Sequence, residues 1–249
     1  MIRTLLIITG ASLVLCAAAA AGAAALGGND LARNGWAWTL RDAEKNQTVT
    51  FERSDKGPTV VRNLPWTGGD RLTIEIPGDI IYVQGSTPSV VLTGQQSMVD
   101  RVRLVDGRLT YVDGDDVGHV VFGWSVHDRL KVVVTAPSVR TFQLDSSADL
   151  SIRDYDQPAL NLTISGFGEV DATGRTDTLT LDVSGSGGAD LDSLTTKDAT
   201  IDVNGFGDVR VAPTGKAEIN ISGSGDVTLT ERPAELTQRI SGFGEVRQD

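Results

Sequence analysis

The sequence predicts an all-β protein, a single-stranded parallel β-helix or solenoid with coils of about 19 residues, and three observations carry that prediction. A glycine corner recurs five times: Ile164-Ser165-Gly166-Phe167-Gly168-Glu169-Val170, Val183-Ser184-Gly185-Ser186-Gly187-Gly188-Ala189, Val203-Asn204-Gly205-Phe206-Gly207-Asp208-Val209, Ile221-Ser222-Gly223-Ser224-Gly225-Asp226-Val227 and Ile240-Ser241-Gly242-Phe243-Gly244-Glu245-Val246. The steps from Ser165 through Ser184, Asn204 and Ser222 to Ser241 are 19, 20, 18 and 19 residues. The first four corners follow strict alternation, as in Leu160, Leu162, Ile164 and in Leu179, Leu181, Val183, with polar residues between, so one strand face is buried. A unit of two short amphipathic strands cannot bury its own face, and its copies must stack.

In chain order, the charged start Met1-Ile2-Arg3 and the uncharged stretch to Gly28 form an export signal over residues 1–28. Ala23 and Ala25 offer a cleavage site, yet the apolar stretch also suffices for a spanning helix of about 20 residues. A cleaved signal peptide and a retained membrane anchor therefore both stand, and either places the body in the periplasm, outer membrane or cell surface. Cys16 is the single cysteine, and Leu15 before it is larger than the small residue lipid attachment favours. Residues 29–69, with Trp36, Trp38 and Pro58, read as a linker and an irregular or β lead-in.

The β-helix domain is expected over residues 70–249, with clear repeats at 160–249. Leu72, Ile74 and Ile76 alternate before Pro77-Gly78, and strand-like runs follow at Ile80 to Val83, Val90 to Leu92 and Val102 to Leu104. Asp106-Gly107 is a hairpin turn signal, and Leu130 to Val134 forms a further strand before Pro137. A fainter coil places Phe142, Leu144, Asp145, Asp149, Leu150 and Ile152 where Leu162, Ile164, Ser165, Glu169, Val170 and Ala172 recur. The solenoid is therefore expected to begin before residue 140.

A net charge of −11 and a pI near 4.6 argue against nucleic acid and anionic membrane surfaces as partners. The Ser-Gly-x-Gly corner lacks the following helix that a phosphate-cradling loop requires. Glycine is expected there for its backbone freedom, and Ser165, Ser184, Asn204, Ser222 and Ser241 are expected to form a hydrogen-bonding ladder. Between the glycines, Phe167, Ser186, Phe206, Ser224 and Phe243 alternate large and small. They are expected to pack, each ring covering the serine beside it, in preference to an outward sugar-binding strip.

The candidate interaction face is an acidic row, Asp149, Glu169, Asp208, Asp226 and Glu245, broken by Gly188. Stacked carboxylates repel, which makes calcium a candidate ligand. The roughly nine-residue period of calcium-binding repeats is missing, and no cofactor is expected. For a polysaccharide-active enzyme the residues to consider are Asp171, Asp190, Arg210 and Arg247, or the run Arg153-Asp154-Tyr155-Asp156. Nothing in the sequence marks these as a tuned acid and base, so a non-enzyme without catalytic or metal-binding residues is expected. His119 and His127 are not spaced as a metal pair and, near Trp124, read as surface-loop residues.

Arg71 to Ile76, the Gly107-Arg108-Leu109 segment, Leu130 to Pro137 and the Ser-Gly-x-Gly-Asp/Glu-Val corners together resemble the bacterial head GIN domain family, described as autotransporter adhesin heads. The likeness spans roughly residues 70 to 249 and implies a right-handed β-helix in the cell envelope with no established activity. It brings no functional residues, and Gly188 departs from its acidic row. The expected function is a non-catalytic envelope protein, adhesin-like or a scaffold, that binds a glycan or a protein. The alternatives are a polysaccharide-active β-helix enzyme or a cation-binding envelope protein. An open strand edge at the fifth corner adds self-association through the C-terminal rung.

Overall fold

The computed structural model describes residues 38–42, 47–53, 58–112, 117–122 and 129–248, so the export segment expected at residues 1–28 lies outside the described residues. The chain runs through β1 (Trp38–Asp42), β2 (Gln47–Arg53), β3 (Thr59–Leu64), β4 (Arg71–Ile74), β5 (Asp79–Gln84), β6 (Ser89–Gln95), a one-turn helix α1 (Gln96–Val99), β7 (Val102–Val105), β8 (Arg108–Tyr111), β9 (Val117–Phe122) and β10 (Lys131–Ala136). It continues through β11 (Thr141–Leu144), β12 (Asp149–Ile164), β13 (Glu169–Val183), β14 (Gly188–Val203), β15 (Val209–Pro213), β16 (Lys216–Ile221), β17 (Val227–Leu229), β18 (Glu235–Ile240) and β19 (Val246–Gln248).

The chain divides into two units. In the smaller, β2 pairs antiparallel with β1 and parallel with β9. The lead-in of residues 29–69 therefore contains regular strands. His119 belongs to β9, opposite Thr50, and is not a loop residue, whereas Trp124 and His127 lie outside the described residues.

The larger unit is the β-solenoid that the period predicts. Parallel pairing runs from β4 through β11, β12, β13, β14 and β16 to β18 on one face, and from β5 through β12, β13, β14, β15 and β17 to β19 on the next. Strands β12, β13 and β14 bend to serve both faces, with register shifts between Ile152 and Tyr155 and between Asp171 and Gly174. Gly174 takes the bend at φ +123°, where an added Cβ would lie 2.2 Å from the Tyr155 carbonyl oxygen.

Register turns the alternation of the sequence into continuous buried ladders. Leu72, Phe142, Leu162, Leu181, Ile201 and Ile219 stack on one face, and Ile80, Leu150, Val170, Ala189, Val209 and Val227 on the other. Burying each large aliphatic side chain contributes about 1.5–3 kcal/mol, a gain that no single rung could collect alone.

The faint coil is a full rung, with Phe142 beside Leu162 and Leu150 beside Val170. An earlier rung, β4 and β5, precedes it. After β5, β6 pairs with β3 and β10, and the first edge of the solenoid is covered where β8 pairs with β4 and β10 with β5. The β7–β8 hairpin turns on Asp106 (φ 49°) and Gly107 (φ 76°), as the Asp-Gly signal predicts.

The corner glycines serve a different purpose from the one expected. None of them has positive φ; among the described residues the glycines that do are Gly68, Gly78, Gly107 and Gly174. Their requirement is close stacking: a Cβ on Gly205 would lie 1.8 Å from the Gly185 carbonyl oxygen, and one on Gly207 would lie 1.6 Å from that of Gly187.

Candidate functional site

The corner row and the strand positions beside it form the outward surface with the most distinctive chemistry. In the Ser-Gly-x-Gly corner the second glycine faces inward: a Cβ on Gly168 would meet Leu144, one on Gly187 would meet Ile164, and one on Gly207 would meet Val183. The residue between the glycines is thereby turned outward. Phe167, Phe206 and Phe243 are accordingly 76%, 71% and 96% exposed. The expectation that these rings cover neighbouring serines is overturned, because the corner geometry reserves the inward direction for glycine. Ser186 and Ser224 occupy the same outward position on the intervening rungs and are also exposed.

Main-chain bonds hold the row in register, from Ser186 N–H to the Gly166 carbonyl at 3.0 Å, from Phe206 N–H to Gly185 at 3.0 Å, and from Phe243 N–H to Gly223 at 2.9 Å. The side-chain ladder expected at the preceding position is only partly formed. The Ser222 hydroxyl donates to Asn204 Oδ1, and that of Ser241 reaches the Ile221 carbonyl at 3.5 Å.

Two residues beyond the corner row runs the acidic row. Strand register sets Asp149 beside Asp79 and Glu169 beside Gly188, and the pairs one residue later, Leu150–Val170, Ala189–Val209, Val209–Val227 and Val227–Val246, carry the row on through Asp208, Asp226 and Glu245. Asp79 follows Pro77-Gly78 just as Glu169 follows its corner, but lacks the serine that marks the later copies.

Arginines and amides relieve the repulsion between stacked carboxylates. Arg129 bridges Asp79 at 3.0 Å and also pairs with Asp149, and Arg247 pairs with Glu245 and reaches Asp226 at 3.4 Å. The Asp226 N–H donates to Asp208 at 3.2 Å, and the Glu245 N–H to Asp226 at 2.9 Å. The row therefore links successive rungs besides displaying charge.

Of the residues considered for catalysis, Asp171, Asp190, Arg210 and Arg247 do share one outward ladder on successive rungs, with Thr228 between the arginines. Arg210 lies 4.0 Å from Asp190 and 3.9 Å from Asp192. Partial burial, then the charges of Asp190 and Asp149, pushes the Asp171 carboxyl above its ordinary value. The run 153–156 is split between two structural tasks. Tyr155 is buried, its hydroxyl 2.7 Å from the Ala159 carbonyl oxygen and its pKa raised chiefly by burial. Asp156 forms an exposed two-point ion pair with Arg175, at 2.7 and 3.0 Å, which holds its carboxyl below the usual range. That pair lines a shallow depression of about 290 Å³ with Gln157, Thr176, Thr196 and Lys197.

Residues 70–233 match the model of a family described as "Putative auto-transporter adhesin, head GIN domain". No curated protein matches the chain. Among solved structures, a "putative adhesin" from Bacteroides fragilis is similar at 16% identity and a TM-score of 0.60, covering 80% of this chain and 100% of that one. A "Putative lipid binding protein" from Parabacteroides distasonis is similar at 15% identity and a TM-score of 0.51, covering 80% and 99%. At these identities the likeness shows the fold.

Proposed function

The chain belongs to the head GIN domain family, and from that premise we propose that it is a non-catalytic protein of the cell envelope whose solenoid face binds a glycan or protein partner. The observation that carries this reading is the exposed row of Phe167, Phe206 and Phe243 beside a carboxylate ladder, both held by backbone stacking. Aromatic rings held out in water at fixed spacing have no folding role to perform, and each offers a large apolar contact at little conformational cost. The family description and the B. fragilis likeness support an adhesin-like role.

A polysaccharide-active enzyme is the second reading, favoured by the raised carboxyl of Asp171 in one ladder with Asp190 and Arg210. Incubation of the full chain with a panel of purified polysaccharides separates the two readings. Retardation in affinity electrophoresis without new reducing ends is the expected result. Release of products that stops in Asp171→Asn would establish the enzyme in its place.

A further inference from the structure

We infer that the corner row recognises an extended, linear, β-1,4-linked glycan without acidic groups, laid along the solenoid axis; this step rests on the binding role proposed above. Three features of the surface lead to that class of ligand. The first is spacing. Rungs of a parallel sheet stand about 4.8 Å apart, so rings on every second rung repeat at roughly 10 Å. A β-1,4-linked pyranose advances an extended chain by close to one rung, and successive sugars in such a chain are flipped. Each second sugar then presents the same apolar C–H face, and it does so in step with Phe167, Phe206 and Phe243. Phenylalanine can meet that face only by stacking, since its π-surface is negative and the sugar C–H groups are positive.

The second feature is alternation. On the intervening rungs the exposed Ser186 and Ser224 leave room for the flipped sugar and offer it a hydroxyl. A serine on every rung would provide no stacking platform.

The third feature is charge. Glu169, Asp208 and Glu245 lie two residues beyond the three phenylalanines, on the same rungs, where carboxylates can accept from sugar hydroxyl or amide groups. The same row repels an acidic polysaccharide, as does the net charge of −11. It also disfavours a second copy of this chain. The large and small alternation could interdigitate with itself, but an antiparallel pair joined there would set two acidic rows face to face.

Calorimetric titration of the full chain with cellohexaose, with chitohexaose and with α-1,4-linked maltohexaose tests the inference. At least one β-1,4 hexasaccharide binds and maltohexaose does not. Phe206→Ser weakens binding by about tenfold, Phe206→Trp retains it, and neither moves the thermal midpoint. Failure of both β-1,4 hexasaccharides to bind, equal binding of maltohexaose, or undiminished binding by the triple variant Phe167→Ser, Phe206→Ser, Phe243→Ser overturns the inference. Light scattering of the same proteins distinguishes how it fails. Dimerisation abolished in the triple variant overturns the glycan ligand while leaving the row as a binding face. Cleavage of any hexasaccharide overturns the non-catalytic reading itself.

Discussion

Gly205 and Gly188 differ by what a methyl group would meet. On Gly205 it would lie 1.8 Å from a main-chain carbonyl oxygen, whereas on Gly188 the nearest atom is 3.1 Å away. Gly205→Ala is therefore expected to cost about 3 kcal/mol or more by denaturant titration, and Gly188→Ala less than about 1 kcal/mol. Asp171 supplies a pH-dependent prediction. Its folded pKa is raised, so the native state holds the proton more tightly than the unfolded chain, and stability falls as pH rises through the interval between the two values. Asp171→Asn should raise the thermal midpoint at neutral pH, with the gain vanishing below the ordinary carboxylate range. Glycine at the corners was legible in the sequence, but its reason was not, because spacing between rungs leaves no trace in local composition. The direction of the phenylalanines was hidden for the same cause: alternation reports inward and outward positions along a strand and is interrupted at a corner.

The rung is the unit of stability, and its strands were readable wherever copies followed one another. Leu160, Leu162 and Ile164 announce β12 by alternation alone, and the aligned corners fix which residue stacks on which. The rung of β4 and β5 was visible only as strands, since residues 85–140 separate it from β11 and break the period. Leu181 stands in mid-ladder between Leu162 and Ile201 and is fully buried. Leu181→Ala should cost about 2–5 kcal/mol by urea titration. The cost should be much smaller for Leu236→Ala, since Leu236 is only partly buried in the outermost described rung. In that rung Gln238 and Gln248 continue ladders formed inside by Ile219 and Leu229.

On the scale of the whole molecule, Arg129, Arg247 and main-chain amides face the carboxylates of Asp79, Asp149, Asp208, Asp226 and Glu245, and we propose on that ground that the acidic row holds together without a metal ion. The thermal midpoint of the full chain should be the same in calcium and in chelator, and a large stabilisation by calcium would restore the cation-binding alternative. The family and the repeat architecture were legible because both rest on a pattern distributed over many residues. The row of Phe167, Phe206 and Phe243 was legible only as a list of residues, and the fold was needed to turn them to one side. From Phe167 to Phe243 the row spans the rungs of Ser186, Phe206 and Ser224, about five sugars at one per rung. The most direct measurement is the affinity of β-1,4 oligosaccharides of increasing length for the full chain. Affinity should climb until the oligomer reaches about five sugars and then level off, with the dependence on length lost in the triple serine variant. An affinity independent of length, or a length dependence unchanged by removing all three rings, would contradict a binding face built on alternate rungs.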